Sequence, residues 1–121
     1  MNNADPPEAC VFCDIVAGKF GTPFVHQDDL VVAFADLRPV APSHVLVVPR
    51  AHFADLTAVA ASKDGSALLG RMSTVAAEIG ARESKGEGFR VVANNGAQAG
   101  QTVFHIHMHV LSGRRFGWPP G

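Results

Sequence analysis

The chain has 121 residues, of which 47% are hydrophobic and 17% are charged, and this composition suits one globular domain with its own core. The formal net charge of -1 gives no reason to expect binding to nucleic acid or to an anionic membrane surface. No apolar stretch approaches the roughly 20 residues that a membrane-spanning helix requires, so a membrane partner is not expected either.

The N-terminal segment, residues 1–9, is polar and acidic and contains two prolines. It has neither the basic nor the apolar region of a secretory signal peptide, so we expect a loose tail on a cytoplasmic protein. The only two cysteines of the chain, Cys10 and Cys13, follow directly. In a reducing compartment, two cysteines this close together favour metal or redox chemistry over a structural disulfide.

The next segments predict a helical turn and a β-hairpin. Residues 12–17 suit a short helical turn that Gly18 ends. Residues 24–27 and 30–35 are apolar and rich in β-branched side chains. The Asp28-Asp29 pair between these two stretches predicts a hairpin.

The middle of the chain predicts a loop, a strand and one long helix. Prolines within residues 36–43 indicate a loop, and residues 44–48 form a strand that Pro49 ends. Asp64 or Ser66 can cap a helix that runs to about residue 84. Apolar residues recur along it at steps of three and four and give it one apolar face: Leu68, Leu69, Met72, Val75, Ala76 and Ile79.

The last third predicts two strands separated by a loop. Residues 89–93 form the first strand, residues 94–101 are rich in glycine and asparagine, and residues 103–111 form the second strand. Residues 112–121 read as an irregular tail. A hairpin, a strand, a long helix and two more strands favour an α+β domain, in which the long helix packs on one face of a mainly antiparallel sheet. We find no repeat and expect a single domain over residues 1–121.

Three histidines alternate in the last predicted strand, at His105, His107 and His109. Because a strand alternates its faces with a period of two, the three imidazoles should share one face, and the apolar residues between them should face the core. A row of imidazoles can bind a metal, bind a polyanion, or supply a nucleophile with an acid and a base beside it.

The loop before this strand carries Gly96, Gly100, Gln101 and Thr102. Glycines let backbone N–H groups turn towards an anion, and the glutamine and threonine add neutral donors. Directly before three histidines, these features suggest a phosphate-binding site. The loop lacks the lysine and the spacing of a P-loop.

At this point the sequence resembles the histidine-triad nucleotide-binding proteins. The resemblance rests on the His-x-His-x-His pattern followed by Val110-Leu111, and it extends from Phe12 to the end of the chain. The Trp-Pro-Pro-Gly ending at residues 118–121 is similar to the purine nucleoside phosphoramidase branch rather than the dinucleoside polyphosphate branch. Supporting motifs are Ala-Phe-Ala-Asp at 33–36, His-Val-Leu-Val-Val-Pro at 44–49, Asn-Asn-Gly at 94–96 and Gly-Gln-Thr-Val at 100–103.

The resemblance implies a fold and an assembly. It implies a five-stranded antiparallel sheet with one long and one short helix, and two subunits that join into a ten-stranded sheet as a homodimer. It places the subunit interface at the long helix and at residues 89–94. It also places the C-terminal tail, here Trp118, close to the active site of the partner subunit.

The resemblance implies that His107 attacks the α-phosphorus of a nucleotide and forms a covalent nucleotidyl-histidine, which water then hydrolyses. His109 matches the position that contacts the phosphate and the leaving group, and His44 matches a supporting histidine beside the triad. His105 is the first histidine of the triad. The attacking imidazole must be neutral, so the site must keep a second proton off it.

The resemblance also implies a purine mononucleotide ligand. Asp36 matches the carboxylate that binds the ribose hydroxyls, because its two oxygens suit a cis-diol. Thr102 stands where the family often has serine, and the hydroxyl is retained. The phosphate-binding positions are Asn94, Gln101, Thr102 and the Val103 N–H, and the apolar positions around the base are Val11, Phe12, Ile15, Phe34 and Leu37.

The two-residue gap between Cys10 and Cys13 is typical of half a zinc site. Spacing alone leaves His26, His44, His52 and the triad open as the remaining ligands. Similarity to bacterial family members with this cysteine pair implies His52 and His105. The implied site of Cys10, Cys13, His52 and His105 is closed and therefore structural, and members without the cysteines still fold.

The expected function is the hydrolysis of purine nucleoside phosphoramidates or acyl-nucleotides, with no cofactor needed for catalysis. One alternative is the hydrolysis of dinucleoside polyphosphates by the same nucleophile. Another is a nucleotide-binding regulatory protein with vestigial chemistry, against which the intact His107 and His109 argue.

Overall fold

The computed structural model describes residues 9–121, so the predicted N-terminal tail lies, apart from Ala9, outside the described residues. Five strands form one sheet in the order β1-β2-β3-β5-β4, and every neighbouring pair is antiparallel. This confirms the predicted α+β fold. The strands are β1 His26–Gln27, β2 Val31–Ala35, β3 Ser43–Pro49, β4 Phe89–Val92 and β5 Met108–Ser112, and the helices are α1 Val11–Val16, α2 Leu56–Ala60 and α3 Gly65–Ser84.

The two faces of the sheet pack against different helices, because the strand side chains alternate. Helix α3 buries Met72, Val75, Ala76 and Ile79 against one face, as its apolar periodicity predicts. The left-handed Lys85 ends the helix. On the other face, Phe12 and Ile15 of α1 pack against the alternate residues of β2 and β3, which are Val32, Phe34, Leu46 and Val48. No helix among residues 9–121 is both long and apolar enough to cross a membrane.

The turn between β1 and β2 is held by the carboxylate of Asp28. Its Oδ1 accepts the N–H groups of Leu30 and Val31 at 2.8 and 2.9 Å. Its Oδ2 lies 2.7 Å from His26 Nε2 and accepts from Arg71 on α3 at 2.7 and 3.0 Å. Burial alone would raise the pKa of this carboxyl, but these hydrogen bonds together lower it well below its ordinary value. Asp28 therefore joins the hairpin to the long helix.

We expect Asp28→Asn to lower the free energy of unfolding by about 2 kcal/mol near neutral pH, because hydrogen bonds to a charged group are worth about 1.5–3 kcal/mol. A lowered native pKa gives stability that is present above the unfolded pKa and lost as the pH falls. The difference between wild type and variant should therefore shrink below about pH 5. Urea unfolding across this range checks it, and a difference that stays constant down to low pH would contradict the assignment.

The structure corrects the bounds of the last strand. The prediction began the strand at residue 103, but β5 begins at Met108, and residues 103–107 are irregular. The reason is that the Ile106 N–H donates to the Phe53 carbonyl oxygen at 2.7 Å instead of to a neighbouring strand. At its other end β5 includes Ser112, so the irregular tail begins at Gly113.

The short helix α2 was not predicted. The signal was present, because Asp55 is its N-cap and accepts the Ala58 N–H at 2.9 Å. The Asn95 side chain also accepts the N–H of Thr57 in the first turn, at 2.9 Å. This second bond comes from the loop after β4, so the helix and that loop fix one another.

Candidate active site and metal centre

The side chains of the three histidines lie on the α1 side of the sheet. The apolar residues between the histidines, Ile106 and Met108, lie in the core beneath α3. The His107 and His109 rings contact one another, with centroids 4.9 Å apart. Only His109 is on a regular strand, so the predicted alternation holds across the irregular segment without strand geometry to enforce it.

His107 has one defined tautomer. Its Nδ1 lies 2.8 Å from the carbonyl oxygen of His105, and because a carbonyl only accepts, Nδ1 carries the proton. Nε2 of the neutral ring is therefore left with its lone pair. Burial lowers the pKa of His107, while the bond to His105 and the Asp36 charge oppose the shift. A neutral imidazole with a free Nε2 is a competent nucleophile.

His44 and His109 form a hydrogen-bonded pair whose proton positions also follow from the contacts. The Val40 N–H donates to His44 Nδ1 at 3.1 Å, so the proton of the neutral His44 ring is on Nε2. That Nε2–H donates to His109 Nδ1 at 2.9 Å. His109 consequently keeps its own proton on Nε2, where it can donate to a ligand.

Asp36 lies beside this pair. Its Oδ2 is 3.4 Å from His44 Nε2, and its Oδ1 accepts the Arg38 N–H at 2.7 Å. Burial lowers the pKa of His44, and the Asp36 charge opposes this. Burial, followed by His107 and His44, lowers the pKa of His109 to about 4. All three rings are thus neutral near neutral pH without a ligand.

The residues predicted to surround a base fall into two groups. Phe12, Ile15 and Phe34 are buried in one apolar cluster, and the Phe12 ring stands edge-on to His107 at 5.0 Å between centroids. Val11 and Leu37 are 46% and 93% exposed and are not part of that cluster.

The loop before the triad divides its polar groups between internal and free donors. Gln101 is buried, and its Nε2 donates to the Ala54 and Val103 carbonyls at 2.7 and 3.1 Å. Its Oε1 accepts the Gly96 N–H at 2.8 Å, so this predicted phosphate ligand uses its amide to fix the loop. Within residues 9–121, no protein group bonds the remaining predicted donors, which are the Asn94 side chain, the Thr102 hydroxyl and the Val103 N–H.

A second cluster joins Cys10, Cys13, His52 and His105, whose ligand atoms all lie within 4.8 Å of one another. Cys10 Sγ is 3.4 Å from His105 Nδ1, Cys13 Sγ is 3.4 Å from His52 Nδ1, and the two Nδ1 atoms are 3.3 Å apart. A tetrahedral zinc ion with ordinary bond lengths separates sulfur from nitrogen by about 3.5 Å and two nitrogens by about 3.3 Å. The four residues therefore fit such an ion.

The protonation of this cluster also suits a cation. His105 Nε2–H donates to the Pro49 carbonyl at 2.8 Å, which leaves Nδ1 as a lone-pair ligand among the sulfurs. Burial lowers the pKa of His105 to about 4. Burial, followed by contact with Cys10, raises the pKa of the Cys13 thiol to about 12. Bringing a cation here would reverse the cost of an ionised thiol.

Spacing alone could not choose among the histidines, but the resemblance implied His52 and His105, and the structure brings these two to the cysteines. His26 instead contacts Asp28, and His44 belongs to the His109 pair. The Pro49 carbonyl, which fixes the His105 ring, was missed. A backbone acceptor 56 residues away carries no signal in the sequence.

Comparison with known proteins shows the family of this chain. The sequence profile of the HIT domain matches residues 19–116. The chain is 41% identical over 111 residues to the purine nucleoside phosphoramidase of Escherichia coli K12, covering 91% of this chain and 92% of that protein. It is also 45% identical over 114 residues to an uncharacterised HIT-like protein of Synechocystis, covering 94% and 98% of the two chains.

Solved structures show the same fold. A HIT family hydrolase from Legionella pneumophila superposes with a TM-score of 0.86 and 38% identity, covering 93% of this chain and 100% of that chain. A histidine triad protein from Clostridium difficile gives a TM-score of 0.84 and 36% identity, covering 93% and 97%. With the profile match, the sequence identity and the three histidines in place, the chain belongs to the HIT-domain family.

Proposed function

We propose that the protein hydrolyses purine nucleoside phosphoramidates or acyl-nucleotides through a covalent nucleotidyl-histidine at His107. The observation that carries this proposal is the fixed tautomer of His107, whose Nε2 lone pair is free beside the Nε2–H of His109. The 41% identity to a protein named purine nucleoside phosphoramidase supports the choice of substrate.

In the first half-reaction, Nε2 of His107 attacks the α-phosphorus and the bond from phosphorus to the leaving nitrogen breaks. The leaving amine takes a proton from His109 Nε2 once that ring has gained a second proton, so that it is left as a neutral imidazole. A bound phosphate carries negative charge and raises the pKa of an adjacent imidazole, which counteracts the effect of burial on His109. His44 orients the His109 ring through the 2.9 Å contact between His44 Nε2 and His109 Nδ1.

In the second half-reaction, water attacks the same phosphorus and the bond to His107 Nε2 breaks. The water gives its proton to His109 Nε2, so both histidines end the cycle as they began. The Asn94 side chain, the Thr102 hydroxyl and the Val103 N–H are the donors assigned to the phosphate oxygens. Gln101 acts by fixing the loop that presents them.

The direct test incubates the protein with adenosine 5′-phosphoramidate and with diadenosine tetraphosphate, and follows the release of AMP. Mass spectrometry after brief exposure to a reactive adenylate should find one AMP group on His107. Faster cleavage of diadenosine tetraphosphate would favour a dinucleoside polyphosphate hydrolase. Nucleotide binding without turnover or adduct would favour a regulatory protein.

We also assign the ribose to Asp36 and the four-residue cluster to a structural zinc. Cys10, Cys13, His52 and His105 would hold the ion, and a closed four-ligand site supplies cross-linking rather than a catalytic water. The ion would tie α1 to the start of the triad segment.

For the ribose, Asp36→Asn keeps an oxygen for the Arg38 N–H but removes the charge that binds a diol. A lost charge-assisted bond costs about 1.5–3 kcal/mol, so the Kd for AMP should rise by about tenfold or more. The Kd for 2′-deoxy-AMP should rise less, because that ligand offers only one hydroxyl. Calorimetric titration of both nucleotides measures this, and equal losses would remove Asp36 from the role.

A homodimer is proposed from the free edge of the sheet. Strand β4 lies at one edge of the sheet, and its Phe89 and Val91 are 37% and 42% exposed. An exposed, apolar edge strand is a template for pairing with another chain. The tail is anchored at this edge, because Arg90 donates to the Gly117 carbonyl at 2.7 Å. Trp118 follows and is 85% exposed.

We therefore expect Trp118 to contact the partner subunit and to affect substrate choice. Removing residues 118–121 should change kcat/KM for two phosphoramidates with different leaving groups by different factors, because the lost aromatic contact affects only a substrate that reaches it. Trp118→Ala is the matched variant. Sedimentation should show an intact dimer in both. A monomeric wild type, or unchanged relative rates, would contradict this arrangement.

A further inference from the structure

His105 belongs to both clusters at once. Its ring presents Nδ1 to Cys10 Sγ at 3.4 Å and to His52 Nδ1 at 3.3 Å. Its carbonyl oxygen accepts the Nδ1–H of His107 at 2.8 Å. The side chain is completely buried, and Pro49 fixes its other nitrogen. A single residue therefore connects the metal ligands to the hydrogen bond that sets the tautomer of the nucleophile.

Helix α1 provides a second connection between the same two sites. Phe12 stands between the two cysteines in sequence, and its ring lies edge-on to His107 at 5.0 Å and to His105 at 6.0 Å. Cys10 Sγ caps the helix by accepting the Cys13 N–H at 3.3 Å. The position of the cysteines thus sets the position of the aromatic ring that faces the nucleophile.

Without an ion, little holds the four ligands together. His105 Nδ1 has no proton, so it can only accept a hydrogen bond, either from a thiol or from His52 Nδ1–H at 3.3 Å. The thiols are weak donors, and 3.3 Å is long for a hydrogen bond between two nitrogens. A cation replaces these weak contacts with four bonds of defined length and direction.

We propose that the Cys10–Cys13–His52–His105 cluster positions the nucleophile, through the His105 carbonyl and the Phe12 ring that hold His107. This rests on the proposed function of His107 as the attacking group. His105 is then a positioning residue: it does not meet the substrate, but it fixes which nitrogen of His107 is free. A misplacement of about 1 Å in a reacting group can cost about a hundredfold in rate.

The test compares zinc-loaded wild type, the same protein after chelation, and the protein reloaded with zinc. Long-range proton–nitrogen spectra of the histidine rings report the tautomer of His107, and kcat and KM are measured on adenosine 5′-phosphoramidate. After chelation, the single Nδ1–H form of His107 should give way to averaged or broadened signals. The kcat should fall by at least about tenfold, while KM stays within about twofold of its starting value. Reloading with zinc should restore the Nδ1–H signal and kcat.

Two variants extend the comparison. Cys13→Ser removes a ligand that makes no contact with His107. His52→Asn removes another such ligand, and it provides the metal-free protein if chelation or Cys13→Ser unfolds the chain. His26→Gln removes a histidine outside both clusters and should leave the His107 signals and the metal content unchanged. Circular dichroism confirms that each protein is folded.

A folded, metal-free protein with unchanged His107 signals and unchanged kcat would overturn the proposal. This outcome is distinct from failure of the proposed function. If zinc-loaded wild type does not cleave the phosphoramidate, the function is wrong, while the His107 spectra with and without zinc still decide whether the cluster positions that ring.

Discussion

Changing His107 to alanine is expected to lower kcat for adenosine 5′-phosphoramidate by at least about a thousandfold, while the Kd for AMP changes by less than about tenfold. The reason is that the Nε2 lone pair forms the bond to phosphorus, whereas the nucleotide is also held by groups that remain. Removal of an attacking group acts on the transition state rather than on the ground state. Steady-state kinetics and calorimetric titration measure the two quantities.

Two controls sharpen this experiment. His109→Ala removes the proton donor but keeps the nucleophile, so it should still accumulate the AMP adduct on His107 with a substrate whose leaving group needs no proton. His107→Gly leaves space in which added imidazole can restore part of the rate. Substantial turnover by His107→Ala without added imidazole would show that another group attacks.

Changing both Cys10 and Cys13 to serine is expected to remove about one zinc ion per chain, because serine cannot supply the thiolates that zinc prefers. The spacing of the four ligand atoms, 3.3 to 3.5 Å for the pairs that meet, is what a tetrahedral ion requires. Metal analysis of protein purified without a histidine tag gives the stoichiometry.

The same variant should unfold at a lower temperature than zinc-loaded wild type, since an ion that binds only the folded chain stabilises it. A wild-type protein that is free of zinc when purified, or that carries a Cys10–Cys13 disulfide, would refute the metal site.

Local pattern carried much of the fold. The apolar steps from Leu68 to Ile79 predicted α3 and its buried face, because a helix that packs on a sheet must repeat every three to four residues. The β-branched stretches around Asp28-Asp29 predicted the first hairpin in the same way. By contrast, β5 begins five residues after its predicted start, because the Ile106 N–H bonds to the Phe53 carbonyl, which lies far away in the sequence.

The sequence alone determined which side chains are available for chemistry: three alternating histidines, a cysteine pair and a glycine-rich loop. The tertiary structure decided how they are used. His52 and His105, rather than His26 or His44, reach the cysteines. Gln101 turns its amide into the loop instead of towards a ligand.

The proton positions of the site were also decided only by the tertiary structure. They depend on the carbonyls of Pro49 and His105 and on the N–H of Val40. Backbone groups of this kind occur in any sequence. Side-chain identity is written in the sequence, whereas the tautomer of each imidazole is set by the backbone group that folding places against it. For this reason the sequence could name His107, but only the fold could show that its Nε2 is the free nitrogen.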